Sequence, residues 1–123
     1  MIKKFILIAD DDAALLNIYK AIAAEEGWDV KLVKNGQEVL DAIKIRKPDL
    51  LLLDLLMPIK SGFDVLQEIK NDPALNSITT IVMSNLSEDL DIDKTIELGA
   101  KNYFVKEELS VKEIVKIVEM YLK

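Results

Sequence analysis

Apolar and polar positions along the chain switch between two periodicities, and the switching predicts the elements. Short apolar runs with strand character cover residues 5–9, 30–33, 50–53, 78–83 and 103–105. Helical spacing fills the gaps between them. In the first helix Leu15, Ile18, Tyr19 and Ile22 follow the i, i+3, i+4, i+7 rule, and Gly27 supplies a stop. The second, residues 37–47, puts Val39, Leu40 and Ile43 on one face and ends at Pro48. The third carries Val65, Leu66 and Ile69, is entered through Ser61-Gly62 and is left through Asn71-Asp72-Pro73. The fourth, residues 87–98, is acidic on its outer side and stops at Gly99. The fifth begins with Ser110 as N-cap and Glu113 three residues on, a capping-box pattern. Its expected buried stripe is Val111, Ile114, Val115, Val118 and Leu122. Ile117 and Tyr121 flank that stripe, either widening the core face or extending a partner or dimer surface.

Five strands alternating strictly with five helices predict βαβ crossovers and a parallel sheet covered on both faces, an α/β doubly wound fold. The uninterrupted apolar runs at residues 5–9 and 50–53 suit strands buried on both sides. No repeat, low-complexity tract or linker breaks the pattern, so residues 1–123 read as one domain without an attached effector domain.

Composition then removes most catalytic chemistry. The 123 residues contain 16 Lys+Arg against 22 Asp+Glu, a formal charge of −6, with no His and no Cys. Ser-His-Asp and Cys-His catalysis, His or Cys zinc sites, thiol redox chemistry and disulfides are therefore excluded, and any metal must be a hard cation held by oxygen. The negative balance argues against direct binding to nucleic acid or to an anionic membrane, both of which rest on Lys and Arg. The start, Met1-Ile2-Lys3-Lys4, is basic, but the apolar run after it ends at Ala9. That is too short for a signal segment, and no stretch approaches the roughly 20 apolar residues of a membrane helix. The expected setting is the cytoplasm.

In doubly wound sheets ligands bind at the carboxyl ends of the strands, so the polar residues there carry the functional argument. Strand 1 ends in Asp10-Asp11-Asp12, strand 3 in Asp54, strand 4 in Ser84-Asn85 and strand 5 in Lys106. Taken singly each has an ordinary role, such as a helix cap, a turn residue or a surface charge, and Asp12 is assigned to the first of these. Four strands each placing a reactive polar group at the same end is hard to obtain from capping alone.

These segments resemble the receiver domain of bacterial response regulators along the whole chain. The stretch Ile6-Leu-Ile-Ala-Asp-Asp-Asp12 is similar to the family's first strand and acidic pair. Pro48-Asp-Leu-Leu-Leu-Leu-Asp-Leu-Leu-Met-Pro58 with Ser61-Gly62 resembles the segment around its phosphoacceptor. Ile81-Val-Met-Ser84 and Gly99-Ala-Lys-Asn-Tyr-Phe-Val-Lys106 resemble its fourth and fifth strands. The resemblance implies a flavodoxin-like (βα)5 three-layer sandwich with strand order 2-1-3-4-5. It also implies Asp54 as phosphoryl acceptor, with Mg²⁺ held by Asp10, Asp11, Asp54 and the backbone carbonyl of Leu56. Ser84 and Lys106 would each meet a phosphoryl oxygen, and Ser84 and Tyr103 would form the switch. The implied partners are a histidine kinase or histidine phosphotransfer protein and a downstream protein meeting helix 4, strand 5 and helix 5. The chain would be a monomer or weak dimer, and not an enzyme in the usual sense, since it promotes its own phosphorylation and dephosphorylation without releasing a free product.

Elementary electrostatics makes these residue types sensible. Two carboxylates about 4 Å apart repel by roughly 4 kcal/mol at an effective dielectric near 20, so three in one cleft need a dication or a proton. Mg²⁺ prefers oxygen ligands and keeps several waters. An ionised carboxylate is already a nucleophile and needs no general base, so the missing histidine places the phosphodonor on another protein.

Several positions depart from the family pattern. Glu107 stands where proline usually follows the lysine, so a trans peptide and a reshaped loop are expected. Asn85 replaces a small residue, either narrowing access for the phosphodonor or acting as a plain turn residue. Leu56 and Leu86 lie where side chains flank the path of attacking water and are expected to slow self-dephosphorylation. The acids around Glu88 to Asp93 and at Glu107-Glu108 lie near the expected output face and suit a basic partner. The alternatives to a stand-alone receiver are a receiver fragment of a larger transcription factor or hybrid kinase, a Mg²⁺-dependent flavodoxin-like phosphatase, and a pseudo-receiver that only binds.

Overall fold

Runs such as Phe-Ile-Leu-Ile-Ala and Leu-Leu-Leu-Leu have no polar face to offer water, so they form strands only where helices cover both sides. A computed structural model, describing residues 4–86 and 88–122, shows that arrangement. The elements in order are β1 (Phe5–Ala9), α1 (Ala13–Glu26), β2 (Asp29–Val33), α2 (Gly36–Ile45), β3 (Leu50–Leu53), α3 (Gly62–Asn71), β4 (Thr80–Ser84), α4 (Asp89–Glu97), β5 (Asn102–Val105) and α5 (Val111–Tyr121). A single 3-10 turn, Lys106–Glu108, joins β5 to α5. All strand pairs are parallel and the order is β2-β1-β3-β4-β5, the expected flavodoxin-like topology.

Alternation along each strand sorts the core into two layers. Leu7, Ala9, Leu51, Leu53 and Val82 face one cluster with Val39, Ile43, Val65 and Leu66 from α2 and α3. Ile6, Ile8, Leu50, Leu52, Ile81 and Met83 face the other, with Tyr19 from α1 and Ile114, Ile117 and Val118 from α5. Burying each of these large side chains is worth roughly 1.5–3 kcal/mol, which makes β1 and β3 the rigid centre from which the site is hung.

Helix ends follow the local chemistry that the sequence offers. Asp12 caps α1 by accepting from Ala14 N and Leu15 N, and Gly27 closes it with φ 74°. Ser61 and Ser110 each form a complete capping box, the latter with Glu113 as expected. Ser87, the expected first residue of the fourth helix, lies outside the described residues, as do Met1 to Lys3 of the basic start.

Three expectations are corrected. The fourth strand begins at Thr80 rather than Ile78, because residues 73–77 form a turn anchored by Asp72, and Ile78 reaches the core from that turn. Ile18 is 43% exposed, so α1 buries Tyr19, Ile22 and Ala23 instead. On α5 the buried residues are Ile114, Ile117 and Val118, while Val111 is 50% exposed. Ile117 is therefore core and unavailable to a partner surface. Tyr121 continues the same stripe, half-buried, with its hydroxyl accepting from Asn102 Nδ2 at 3.0 Å.

Candidate functional site

The ladder that ends β1 and β3 delivers two acids to one place. Asp10 N donates to Val33 O at 3.1 Å and Asp54 N donates to Ala9 O at 3.0 Å, so each backbone is held one residue past its strand. Both side chains are almost fully buried, at 2% and 4% exposure, while Asp11 beside them is exposed. Oxygens of Asp10, Asp11 and Asp54 lie within 4.8 Å of one another.

One cation from the chain itself enters this cluster. Lys106 Nζ donates to Asp10 Oδ2 at 2.9 Å and to Asp54 Oδ2 at 3.0 Å. The other oxygens are committed elsewhere: Asp10 Oδ1 accepts from Asp12 N at 2.9 Å, and Asp54 Oδ1 accepts from Leu55 N at 2.8 Å with Leu56 N farther off at 3.4 Å. Burial pushes the Asp10 carboxyl above its usual range, the Asp12 N–H and Lys106 pull it back, and the Asp54 charge adds to the rise. Burial pulls the Lys106 ammonium down, but hydrogen bonds and charge from Asp10 and Asp54 outweigh it, and its pKa lies above the ordinary value. Lys106 thus stays cationic, one ammonium shared between two buried carboxylates.

The loop after Asp54 is held from three sides. Gly62 N donates to Leu55 O at 2.9 Å, Lys60 N to Pro58 O at 2.8 Å, and Gly36 N to Lys60 O at 3.0 Å. The second of these closes a γ-turn with Ile59 at φ 69°, a conformation that costs an L-residue about 1–2 kcal/mol. Leu56 is 55% exposed on this rim.

Across the sheet, Ser84 is fully buried and pairs in register with Val105 of β5. Its Oγ accepts from Leu86 N at 3.5 Å and lies beside the Tyr103 hydroxyl. Tyr103 is half-buried, and its hydroxyl donates to Leu86 O. Burial raises the Tyr103 hydroxyl pKa, and the Ser84 hydroxyl beside it works the other way. The Lys106-Glu107 peptide is trans, as expected, and the reshaped loop is the 3-10 turn. The role of Asn85 was legible only as a turn or an access residue; its side chain accepts from Glu107 N at 3.0 Å. The available signal was Glu107 itself, which has the N–H that a proline lacks.

Asp10, Asp11, Asp54 and Lys106 are thus brought into direct contact or near contact, and Ser84 and Tyr103 share the Leu86 backbone at the same end of the sheet. All donors to a metal here are hard oxygens with a net negative charge, which fits a small divalent cation and no soft one.

Residues 6–119 match the profile of the response regulator receiver domain. The DNA-binding response regulator MtrA of Mycobacterium tuberculosis is 30% identical over 118 residues, covering 96% of this chain and 50% of that protein. The chain spans about half the length of the curated relatives it matches. Among solved structures, the signal receiver domain of a signal transduction histidine kinase from Syntrophus aciditrophicus superposes with TM-score 0.85 at 28% identity, covering 97% of this chain and 89% of that one. The Mn²⁺-bound form of response regulator Rcp1 superposes with TM-score 0.82 at 25% identity, covering 95% and 90%. With its strand order, its acidic end and a family match over nearly its full length, the chain belongs to the response regulator receiver domains of two-component signalling.

Proposed function

We propose that Asp54 accepts a phosphoryl group from a phosphohistidine on a histidine kinase or phosphotransfer protein, and that the loaded domain then engages a downstream protein. The observation that carries this reading is the convergence of three carboxylates within 4.8 Å on a lysine that bridges two of them. An Asp54 oxygen attacks phosphorus, a P–O bond forms, and the P–N bond breaks with its electron pair returning to the partner's imidazole. A carboxylate nucleophile needs no general base. Lys106 Nζ, already against Asp54 Oδ2, neutralises charge on the transferring group, and the Ser84 hydroxyl donates to a second phosphoryl oxygen.

Asp10, Asp11, Asp54 and the Leu56 carbonyl would hold Mg²⁺, which supplies charge neutralisation for phosphoryl oxygens. Three carboxylates within 4.8 Å sharing a single lysine support that assignment, as does the Mn²⁺-bound state of Rcp1. The switch would run through Ser84 and Tyr103 to the surface of α4, β5 and α5. There Glu88, Asp89, Glu107 and Glu108 are exposed and suit a basic partner. The cytoplasm is the proposed place of work; no described helix is long and apolar enough to cross a membrane. We read the domain as binding and switching rather than turning over a free substrate. A second reading, that it serves inside a longer regulator, draws support from relatives about twice its length, one of them described as DNA-binding.

Intact-mass measurement after incubation with acetyl phosphate and Mg²⁺ tests the acceptor. One phosphoryl group should appear on the wild type and none on Asp54→Ala. Equal phosphorylation of Asp54→Ala would remove Asp54 from this role.

A further inference from the structure

Lys106 must cross from β5 to the ends of β3 and β1, and a long flexible side chain aims only as well as its backbone root is held. The β4–β5 ladder ends at the pair Ser84 and Val105, one residue short of Lys106. Beyond that pair Asn85 Oδ1 accepts from Glu107 N at 3.0 Å, linking the chain after β4 to the chain after β5. Glu107 is the middle residue of the 3-10 turn that starts at Lys106, and Leu109 N donates to Lys106 O at 3.1 Å to close it. The Asn85 bond therefore pins the turn from outside at the residue next to the lysine. Neither Asn85 nor Glu107 is buried, so the bond contributes little to the core and its effect falls on the turn.

From this geometry we infer that Asn85 is a positioning residue for Lys106. It rests on the reading of Asp54 as phosphoryl acceptor. The side chain of Asn85 ties the Lys106-Glu107 turn to the end of β4, immediately after Ser84, so that the two groups meeting the phosphoryl oxygens share one backbone frame. Glu107 makes this possible by keeping an N–H at a position where proline has none.

The full chain with Asn85→Ala tests the inference in three measurements. Amide hydrogen exchange at Glu107 should speed up. The rate of phosphoryl acceptance from acetyl phosphate should fall about three- to ten-fold, the range that one lost hydrogen bond produces. Affinity for Mg²⁺ should change in the wild-type background and be insensitive to Asn85→Ala once Lys106→Met is present, because the effect passes through the lysine. Unchanged Glu107 exchange, faster phosphorylation, or the same Mg²⁺ shift without Lys106 would each overturn it; faster phosphorylation would make Asn85 an access barrier instead. If the wild type takes no phosphoryl group, the acceptor reading fails as well. A wild type that is phosphorylated at the same rate as Asn85→Ala leaves that reading standing and removes only this one.

Discussion

Lys106 and Asp10, 96 residues apart, are joined by a 2.9 Å hydrogen bond between an ammonium and a carboxylate that is 3% exposed. The oxygen that Lys106 takes belongs to one of the three acids that would hold Mg²⁺, and its other bond goes to a second. Lysine and a bound dication would therefore compete for the same negative charge. Lys106→Met is expected to bind Mg²⁺ on the order of tenfold more tightly, since a unit positive charge a few ångströms away opposes the ion even at an effective dielectric near 20. The same variant should accept phosphoryl groups more slowly. Calorimetric titration with Mg²⁺ checks the first half; weaker binding would mean that Lys106 orients the acids instead of competing for them.

The phosphoryl lifetime is expected to be long. Leu56 is exposed on the rim and Leu86 is half-buried against the core, so neither side chain near the site offers a hydrogen bond to an attacking water. Following loss of phosphoryl mass with time, Leu56→Asn and Leu86→Glu should each shorten the lifetime several-fold. No acceleration in either would show that water is excluded by other groups.

Much of this was legible in the sequence, for a physical reason. Strands buried on both faces must be apolar throughout, so 5–9 and 50–53 stand out, and the polar residue ending each is then visible as a ligand for whatever lies beyond the sheet. What escaped was geometry that apolarity does not encode. Ile78 is as apolar as a strand residue because it plugs the core from a turn. On α5 the density of apolar residues from Val111 to Val118 allows several stripes, and only packing against Ile6, Ile8 and Met83 chooses Ile114, Ile117 and Val118. The bonds of Lys106 and Asn85 join residues far apart in sequence, which no local pattern can announce.

Thr80 sits in β4 at 2% exposure, and its Oγ1 has no hydrogen-bond partner. A buried hydroxyl in that state costs about 1–3 kcal/mol, and valine has the same branched shape without it. Thr80→Val is expected to raise stability by about 1 kcal/mol in urea unfolding. A loss of stability would place a water on the hydroxyl, in the partly open pocket of about 60 Å³ that Thr80 lines with Ile69, Lys70, Asn76 and Ile78.

Tyr19 introduces an alkaline limit. Its hydroxyl is buried against Met83 Sδ at 3.5 Å, and burial, helped by the charges of Asp10 and Asp54, raises its pKa far above 10. The unfolded chain ionises this group near pH 10 and the folded one does not, so the folded state holds the extra proton above that pH. Stability is then fully present below about pH 10 and falls as pH rises toward the folded value. Urea unfolding of wild type and Tyr19→Phe at pH 9 and pH 11 should show a smaller alkaline loss in the variant. Equal losses would mean that the hydroxyl ionises freely in the fold.

Four glycines separate two kinds of backbone demand, and the difference predicts which one the site depends on. Gly27 and Gly99 have φ of 74° and 107° with nothing within 4 Å of an added Cβ. Alanine there meets only the left-handed conformation and should cost about 1 kcal/mol, leaving the site untouched. At Gly62 an added Cβ would lie 2.3 Å from Asp54 O and 2.8 Å from Leu55 Cα. Both are backbone atoms, so no rotamer relieves the clash, and the segment carrying Asp54 must move or α3 must back away. Backing away also breaks the 2.9 Å bond from Gly62 N to Leu55 O, which leads the chain into the capping box of α3. Gly62→Ala is therefore expected to lose more stability than Gly99→Ala, by about 1–3 kcal/mol. It should also slow phosphoryl acceptance under conditions where both variants are folded. Equal phosphorylation rates in folded Gly62→Ala and Gly99→Ala would show that Asp54 tolerates a shift in its backbone, and would assign its alignment to the hydrogen bonds on its carboxylate from Lys106 and Leu55 N.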